Sequence, residues 1–240
     1  AMMSAFLAGA AGAEVSFEFQ SAFGGFGIGR ESFDLPVDVV QDRDENFYVV
    51  DQRNNRIQVL NRRGNYVREW GRSGFRPGEF DTPTAIVMEK GTENLLVVDQ
   101  KNNRVQKFDS SGKFLVEWGR FARKGRGAEL TNPVSVAYSQ EGFGNIYVLN
   151  SPECRVLKYE LDGTLSAEWP MHRKGEGALC GPSRIRIEPR KYTVYIADTE
   201  NQRVILFDRN GEPLGELKGG KVPFRKPGGV FISDLFGEDL

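Results

Sequence analysis

Asp51-Gln52-Arg53-Asn54-Asn55-Arg56 is followed by the apolar run Ile57-Gln58-Val59-Leu60, and 48 residues later the chain repeats itself as Asp99-Gln100-Lys101-Asn102-Asn103-Arg104 followed by Val105-Gln106-Lys107-Phe108. The pattern returns with changes at Asn150 to Arg155 and at Asp198 to Arg203, so successive arginines stand 48, 51 and 48 residues apart. A fixed period of this length means one supersecondary unit built four times over. Working outward from each arginine recovers the rest of the unit. Upstream lies a proline with a short apolar run: Pro36 with Val37, Val39 and Val40; Pro83 with Ile86, Val87 and Met88; Pro133 with Val134, Val136 and Ala137; Pro182 with Ile185 and Ile187. A second run ends at the repeat's acidic or amide residue, as in Phe47-Tyr48-Val49-Val50 and Ile146-Tyr147-Val148-Leu149. These blocks are short, rich in β-branched and aromatic residues and bounded by turn residues, which predicts strands. A third strand starts just after the arginine. A turn carrying Gly64, Gly112, Gly163 or Gly211 leads to a fourth, more polar strand ending Glu69-Trp70, Glu117-Trp118, Glu168-Trp169 and Glu216-Leu217.

Apolar inner strands and a polar outer one, four antiparallel strands to a repeat, predict an all-β propeller with four complete blades. The proline-opened first strand, the Tyr-Val-Val-Asp or Tyr-Ile-Ala-Asp second strand, the Asn-x-Arg-Ile/Val third strand and the Trp-Gly exit resemble the NHL repeat of six-bladed-type propellers, over residues 14 to 233. The third copy departs most, with Asn150 for aspartate, Glu153 for asparagine and Ser151-Pro152 in the loop. At the ends, Val15 to Phe19 matches a fourth strand, with Glu18-Phe19 where Glu69-Trp70 stand, and Pro227 to Ile232 matches a first strand. The expectation is four blades plus terminal strands of a fifth, in a ring that is open, completed by Asp234 to Leu240, completed by a partner, or cut short by truncation. Unpaired edges invite self-association. Residues 1–13, small and apolar, are set apart as a leader or expression remnant resembling part of a signal peptide; residues 14–240 form one propeller domain. The compartment stays open between cytoplasmic and secreted.

Net charge is −1, which gives no global attraction to nucleic acid or membrane, and no membrane insertion is expected. Cys154 and Cys180 are too few for a disulfide framework. The single histidine, His172, excludes a multi-histidine metal centre and separates the chain from the amidating lyases that the NHL resemblance brings to mind. No catalytic residue, metal ligand or cofactor is assigned. The repeat positions Asp51, Arg56, Asp99, Arg104, Asn150, Arg155, Asp198 and Arg203 are read as structural, a turn that bonds its own backbone with the arginine paired to the carboxylate. A carboxylate ring holding calcium in the channel is the weaker reading of the same residues.

The connections between blades carry the functional signal. They hold Arg72, Phe75 and Arg76; Arg120, Phe121, Arg123, Lys124 and Arg126; Arg173 and Lys174; and Lys221, Arg225 and Lys226. In a propeller these emerge on one face, making it basic within a nearly neutral chain. The expectation is a non-catalytic scaffold that presents this face to a protein or peptide and self-associates through its incomplete edges. RNA binding through the same face is the alternative, as in some animal NHL proteins. A calcium-dependent lactonase-like or lyase-like enzyme ranks third.

Overall fold

A computed structural model describes residues 21–119, 129–151, 154–170, 181–219 and 223–230. After a short parallel pair, β1 (Gly25–Phe26) and β2 (Ser32–Phe33), come four blades. The first is β3 (Pro36–Gln41), β4 (Phe47–Asp51), β5 (Arg56–Leu60) and β6 (Tyr66–Trp70). The second is β7 (Pro83–Met88), β8 (Leu95–Asp99), β9 (Arg104–Phe108) and β10 (Phe114–Trp118). The third is β11 (Pro133–Ser139), β12 (Asn145–Asn150), β13 (Arg155–Glu160) and β14 (Leu165–Pro170). The fourth is β15 (Pro182–Ile187), β16 (Val194–Asp198), β17 (Arg203–Phe207) and β18 (Pro213–Leu217). Each is a four-stranded antiparallel sheet in sequence order, and no helix occurs among the described residues.

The burial of each strand follows its place in the sheet. Middle strands β5 and β8 are buried at every position, whereas the outer strand β6 alternates and β18 is exposed throughout. A strand covered on both faces reads as continuously apolar, and one that faces water on one side alternates with period two. Proline suits the start of each inner strand, where its missing N–H falls on an edge. The register slips just after that proline in all four blades, and again in all four outer hairpins. Such bulges re-aim the residues beside them.

Cores lie between blades rather than within them. Tyr48, Val50, Ile57 and Val59 of the first blade pack against Ile86, Leu95, Val97 and Phe108 of the second. Leu96, Val98 and Val105 meet Val136, Ile146 and Val148, and Tyr147, Leu149 and Val156 meet Ile185, Val194 and Ile196. The last aromatic of the first, second and third blades covers the turn glycine of the next: a Cβ on Gly112 would stand 2.7 Å from Trp70, on Gly163 3.3 Å from Trp118, and on Gly211 2.5 Å from Trp169.

The same contact corrects the register read at the N-terminus. A Cβ on Gly64 would meet Phe23 at 2.1 Å, so Phe23 occupies the seat a preceding blade's tryptophan would take. Phe23-Gly24, rather than Glu18-Phe19, therefore stands where Trp70-Gly71 stands. Both Gly24 and Gly71 have positive φ, 85° and 98°, and press on Phe33 and Phe80. Gly27 N donates to Phe33 O as Gly74 N donates to Phe80 O, at 3.1 and 3.0 Å. Glycine spacing, not the glutamate-aromatic pair, carries the register. Residues 15–19 themselves lie outside the described residues, as do Phe231 and Ile232; residues 227–230 form no strand. Cys154 is buried in the core between the third and fourth blades, and Cys180 and His172 lie outside the described residues.

Candidate functional site

The repeated Asp-x-x-Asn-x-Arg motif forms a clamp between a blade and the connection that enters it. In the second blade Asp99 Oδ1 accepts from Asp81 N at 2.7 Å, while Oδ2 accepts from Asn102 Nδ2 at 2.9 Å and Arg104 Nε at 2.7 Å. Arg104, with a fully buried side chain, then reaches Glu117 Oε2 at 2.6 Å and three carbonyls of the connection: Phe75 and Arg76 at 3.0 Å each, and Glu79 at 2.7 Å. Gln106 closes the set by donating to Glu79 O and accepting from Gly78 N, both at 2.8 Å. A planar guanidinium with five donors suits one carboxylate pair and several carbonyls at once. Burial raises the Asp99 carboxyl above the usual carboxylate range, against the hydrogen bonds from Asp81 N, Asn102 and Arg104.

The other blades vary this device. Asp51 accepts from Asp34 N, Asn54 and Arg56, each at 2.8 Å, and Arg56 goes on to Glu69, Gly29 O and Ser32 O. Asp198 accepts from Asn201 and Arg203 at 2.9 Å, and Arg203 also holds Glu216. In the third blade the amide Asn150 exchanges two bonds with Thr131, and Arg155 holds Glu168 and Glu129 O. The residue before each arginine, Asn55, Asn103, Cys154 or Gln202, has positive φ between 47° and 55°. Asp51 and Asp99 each spend Oδ1 on the entering connection and Oδ2 on the asparagine and arginine of their own motif, and no group of three metal-ligating side chains occurs among the described residues.

Clamping places the connections and the second-to-third-strand loops on one face, where Asn55 Oδ1 also accepts from Thr82 N at 2.8 Å. Of the sequence candidates there, Arg72 is held by Glu79, with Nε and Nη2 at 3.0 and 2.8 Å from Oε1. The Arg76 amide and the Arg72 side chain hold the Glu79 carboxyl below its ordinary pKa. Arg53 and Lys101 face Asp34 and Asp81 at 3.4 and 3.9 Å. Phe75 is 63% exposed, and Arg76, Arg225 and Lys226 are exposed and form no ion pair among the described residues. Arg72 and Arg76 flank a shallow cleft of about 460 Å³ that also takes in Pro77, Glu79 and Phe114. Arg120, Phe121, Arg123, Lys124, Arg126, Arg173, Lys174 and Lys221 lie outside the described residues.

A second cluster, not assigned from sequence, lies where the inner strands face the channel. From β15, Arg184 donates to Thr84 O at 2.9 Å and to Val37 O, and stands 3.5 Å from Asp38 Oδ2. Arg186 stands 3.3 Å from Asp38 Oδ1. The fourth blade thus reaches across the axis to the junction of the first and second. Its signal in the sequence was two arginines at alternate positions in an otherwise apolar strand, Arg184-Ile185-Arg186-Ile187, opposite a lone aspartate among valines.

A family model described as "DUF5128: 6-bladed beta-propeller" matches residues 30–119, the first two blades. Solved structures similar to the chain include a streptogramin B lyase, 16% identical, with a TM-score of 0.54, covering 75% of this chain and 53% of that one. A catalytically inactive virginiamycin B lyase from Staphylococcus aureus with quinupristin is 13% identical, with a TM-score of 0.57, covering 78% and 56%. The chain is a β-propeller. It spans little more than half the length of these neighbours, which are enzymes, and at such identity the likeness is one of fold. No curated protein matches the chain.

Proposed function

We propose that this propeller is an NHL-type binding module that presents its connection face to a protein or peptide, and that its role is recognition rather than catalysis. One observation carries the reading: Arg104 grips the carbonyls of Phe75 and Arg76, two exposed residues. The first blade repeats the arrangement, with Arg56 on Gly29 O and the neighbouring Ile28 82% exposed. A tip whose backbone is fixed before binding loses little entropy on complex formation, and an aromatic beside an arginine is the composition of interface hot spots. The partner is an extended or loop segment offering an apolar side chain and a carboxylate. The protein reading is favoured over RNA because Arg53, Arg72 and Lys101 face carboxylates, which weakens the field that would draw a polyanion.

Peptide selection on the intact protein, followed by fluorescence anisotropy, tests this. Enriched peptides should pair an aromatic or aliphatic residue with Asp or Glu, and the Phe75→Ser/Arg76→Glu variant should bind them at least about tenfold more weakly. Peptide binding unchanged in that variant, or steeply salt-dependent binding of single-stranded RNA in place of peptide, would contradict it.

A further inference from the structure

The four inner strands are equivalent by register, so the residue two places past the opening proline can be compared across blades. It is Asp38, Ala85, Ser135 and Arg184. Two of these do the same work: Asp38 Oδ2 accepts from Ile86 N at 3.1 Å and Ser135 Oγ from Ile185 N at 3.3 Å, each tying its blade to the next. Arg184 breaks the series, and Arg186 follows it on the same side of β15. Two guanidinium groups therefore converge on one carboxylate, and that carboxylate already accepts from Ile86 N and Val39 N. The side chains of Asp38, Arg184 and Arg186 are 7, 14 and 28% exposed, so the cluster is largely withdrawn from water yet reachable at Arg186.

Summed over its three members the cluster carries one positive charge in excess. Desolvated charge without a counter-ion is unfavourable, and burial together with Arg186 pulls the Arg184 pKa down even though Asp38 opposes them. Both contacts to Asp38 are long for a charge-assisted bond, 3.5 and 3.3 Å, and the other bonds the arginines make go to neutral carbonyls, Arg184 to Thr84 O and Val37 O and Arg186 to Ile185 O, so Asp38 is the one negative charge shared between them within the cluster. Thr84, whose carbonyl holds Arg184, also has a buried hydroxyl with no hydrogen-bond partner among the described residues, and a buried hydroxyl ordinarily has one.

The geometry points to an oxyanion site in the central channel, in which Arg184 and Arg186 bind the carboxylate or phosphate group of a small molecule beside Asp38. The ligand supplies the second negative charge that the two arginines lack. Asp38 holds the guanidinium groups in place and limits affinity by competing for them. This site is separate from the connection face and does not depend on what that face binds.

Isothermal titration of the intact protein with inorganic phosphate, and separately with succinate, at ionic strength balanced by chloride, tests the site. Saturable one-site binding of either anion is expected, and which of the two binds identifies the ligand group. Arg186→Gln, which leaves the cluster neutral, should weaken binding at least about tenfold, and Asp38→Asn should strengthen it several-fold. If Asp38→Asn fails to fold, as judged by its melting curve, the Arg186→Gln comparison decides alone. No saturable binding of either anion, or equal binding in wild type and Arg186→Gln, would overturn the proposal.

Discussion

Arg104 shows what one side chain contributes. Its side chain is fully buried and serves two carboxylates and three carbonyls, so removing it strands Asp99 and Glu117 together with backbone acceptors. Truncating one member of such a buried pair costs about 3–5 kcal/mol. Arg104→Ala should lower the unfolding free energy obtained from urea denaturation by that amount, and a loss under about 1 kcal/mol would mean that the clamp is worth no more than a surface pair. Tyrosines supply a pH dependence. Burial pushes the Tyr48 phenol from 10.0 up to about 12, against the pull of Arg68, and raises Tyr147 and Tyr159 further. A group that keeps its proton more tightly when folded contributes its full stability below its unfolded pKa. Between pH 10 and 12 the unfolded chain loses protons that the native state retains, so stability falls as pH rises. Chemical denaturation at pH 9, 10 and 11 should show a midpoint that holds and then drops; a midpoint flat to pH 11 contradicts it.

At the scale of the element, the aromatic-over-glycine contact is the joint between blades. Gly64 and Gly112 have φ of 80° and 91°, a conformation that favours glycine, and each lies beneath an aromatic ring. Gly112→Ala should therefore destabilise by more than about 1 kcal/mol, strain and collision adding together. Gly78→Ala, with positive φ but nothing near its Cβ, separates the two effects and should cost less. Equal costs would remove the packing role given to Trp70. Most of this was legible in the sequence. The 48-residue period gave the blades, and the alternation of burial followed from strand chemistry, because local patterns determine local structure. The N-terminal register was misread because Glu18-Phe19 imitates Glu69-Trp70, whereas the glycines that fix the turn begin four residues later, at Phe23-Gly24. Arg184 and Arg186 stand out in an apolar strand, but their meeting with Asp38 was not legible, since Val37, Asp38 and Thr84 lie 100 or more residues away and meet them only when the blades are set around an axis. Neither was the pairing of Arg72 with Glu79, which reduces the basic face that composition suggested.

As a whole molecule, the propeller is a frame that fixes its own connections. The second blade's connection is bound at both ends and in the middle: Gly74 N donates to Phe80 O, Gly78 N to Gln106 Oε1 and Phe80 N to Arg72 O, at 3.0, 2.8 and 2.8 Å. Exposed loops ordinarily open and exchange far faster than core strands. Native-state hydrogen exchange at Gly74, Gly78 and Phe80 measures how firmly the connection is held. Protection close to that of β8 and β9 is expected in the intact protein, with its loss at all three in Arg104→Lys, which keeps the charge but cannot grip three carbonyls. Fast exchange at these amides in the unaltered protein would contradict it, because the tip bearing Phe75 and Arg76 would then be held no better than an ordinary loop.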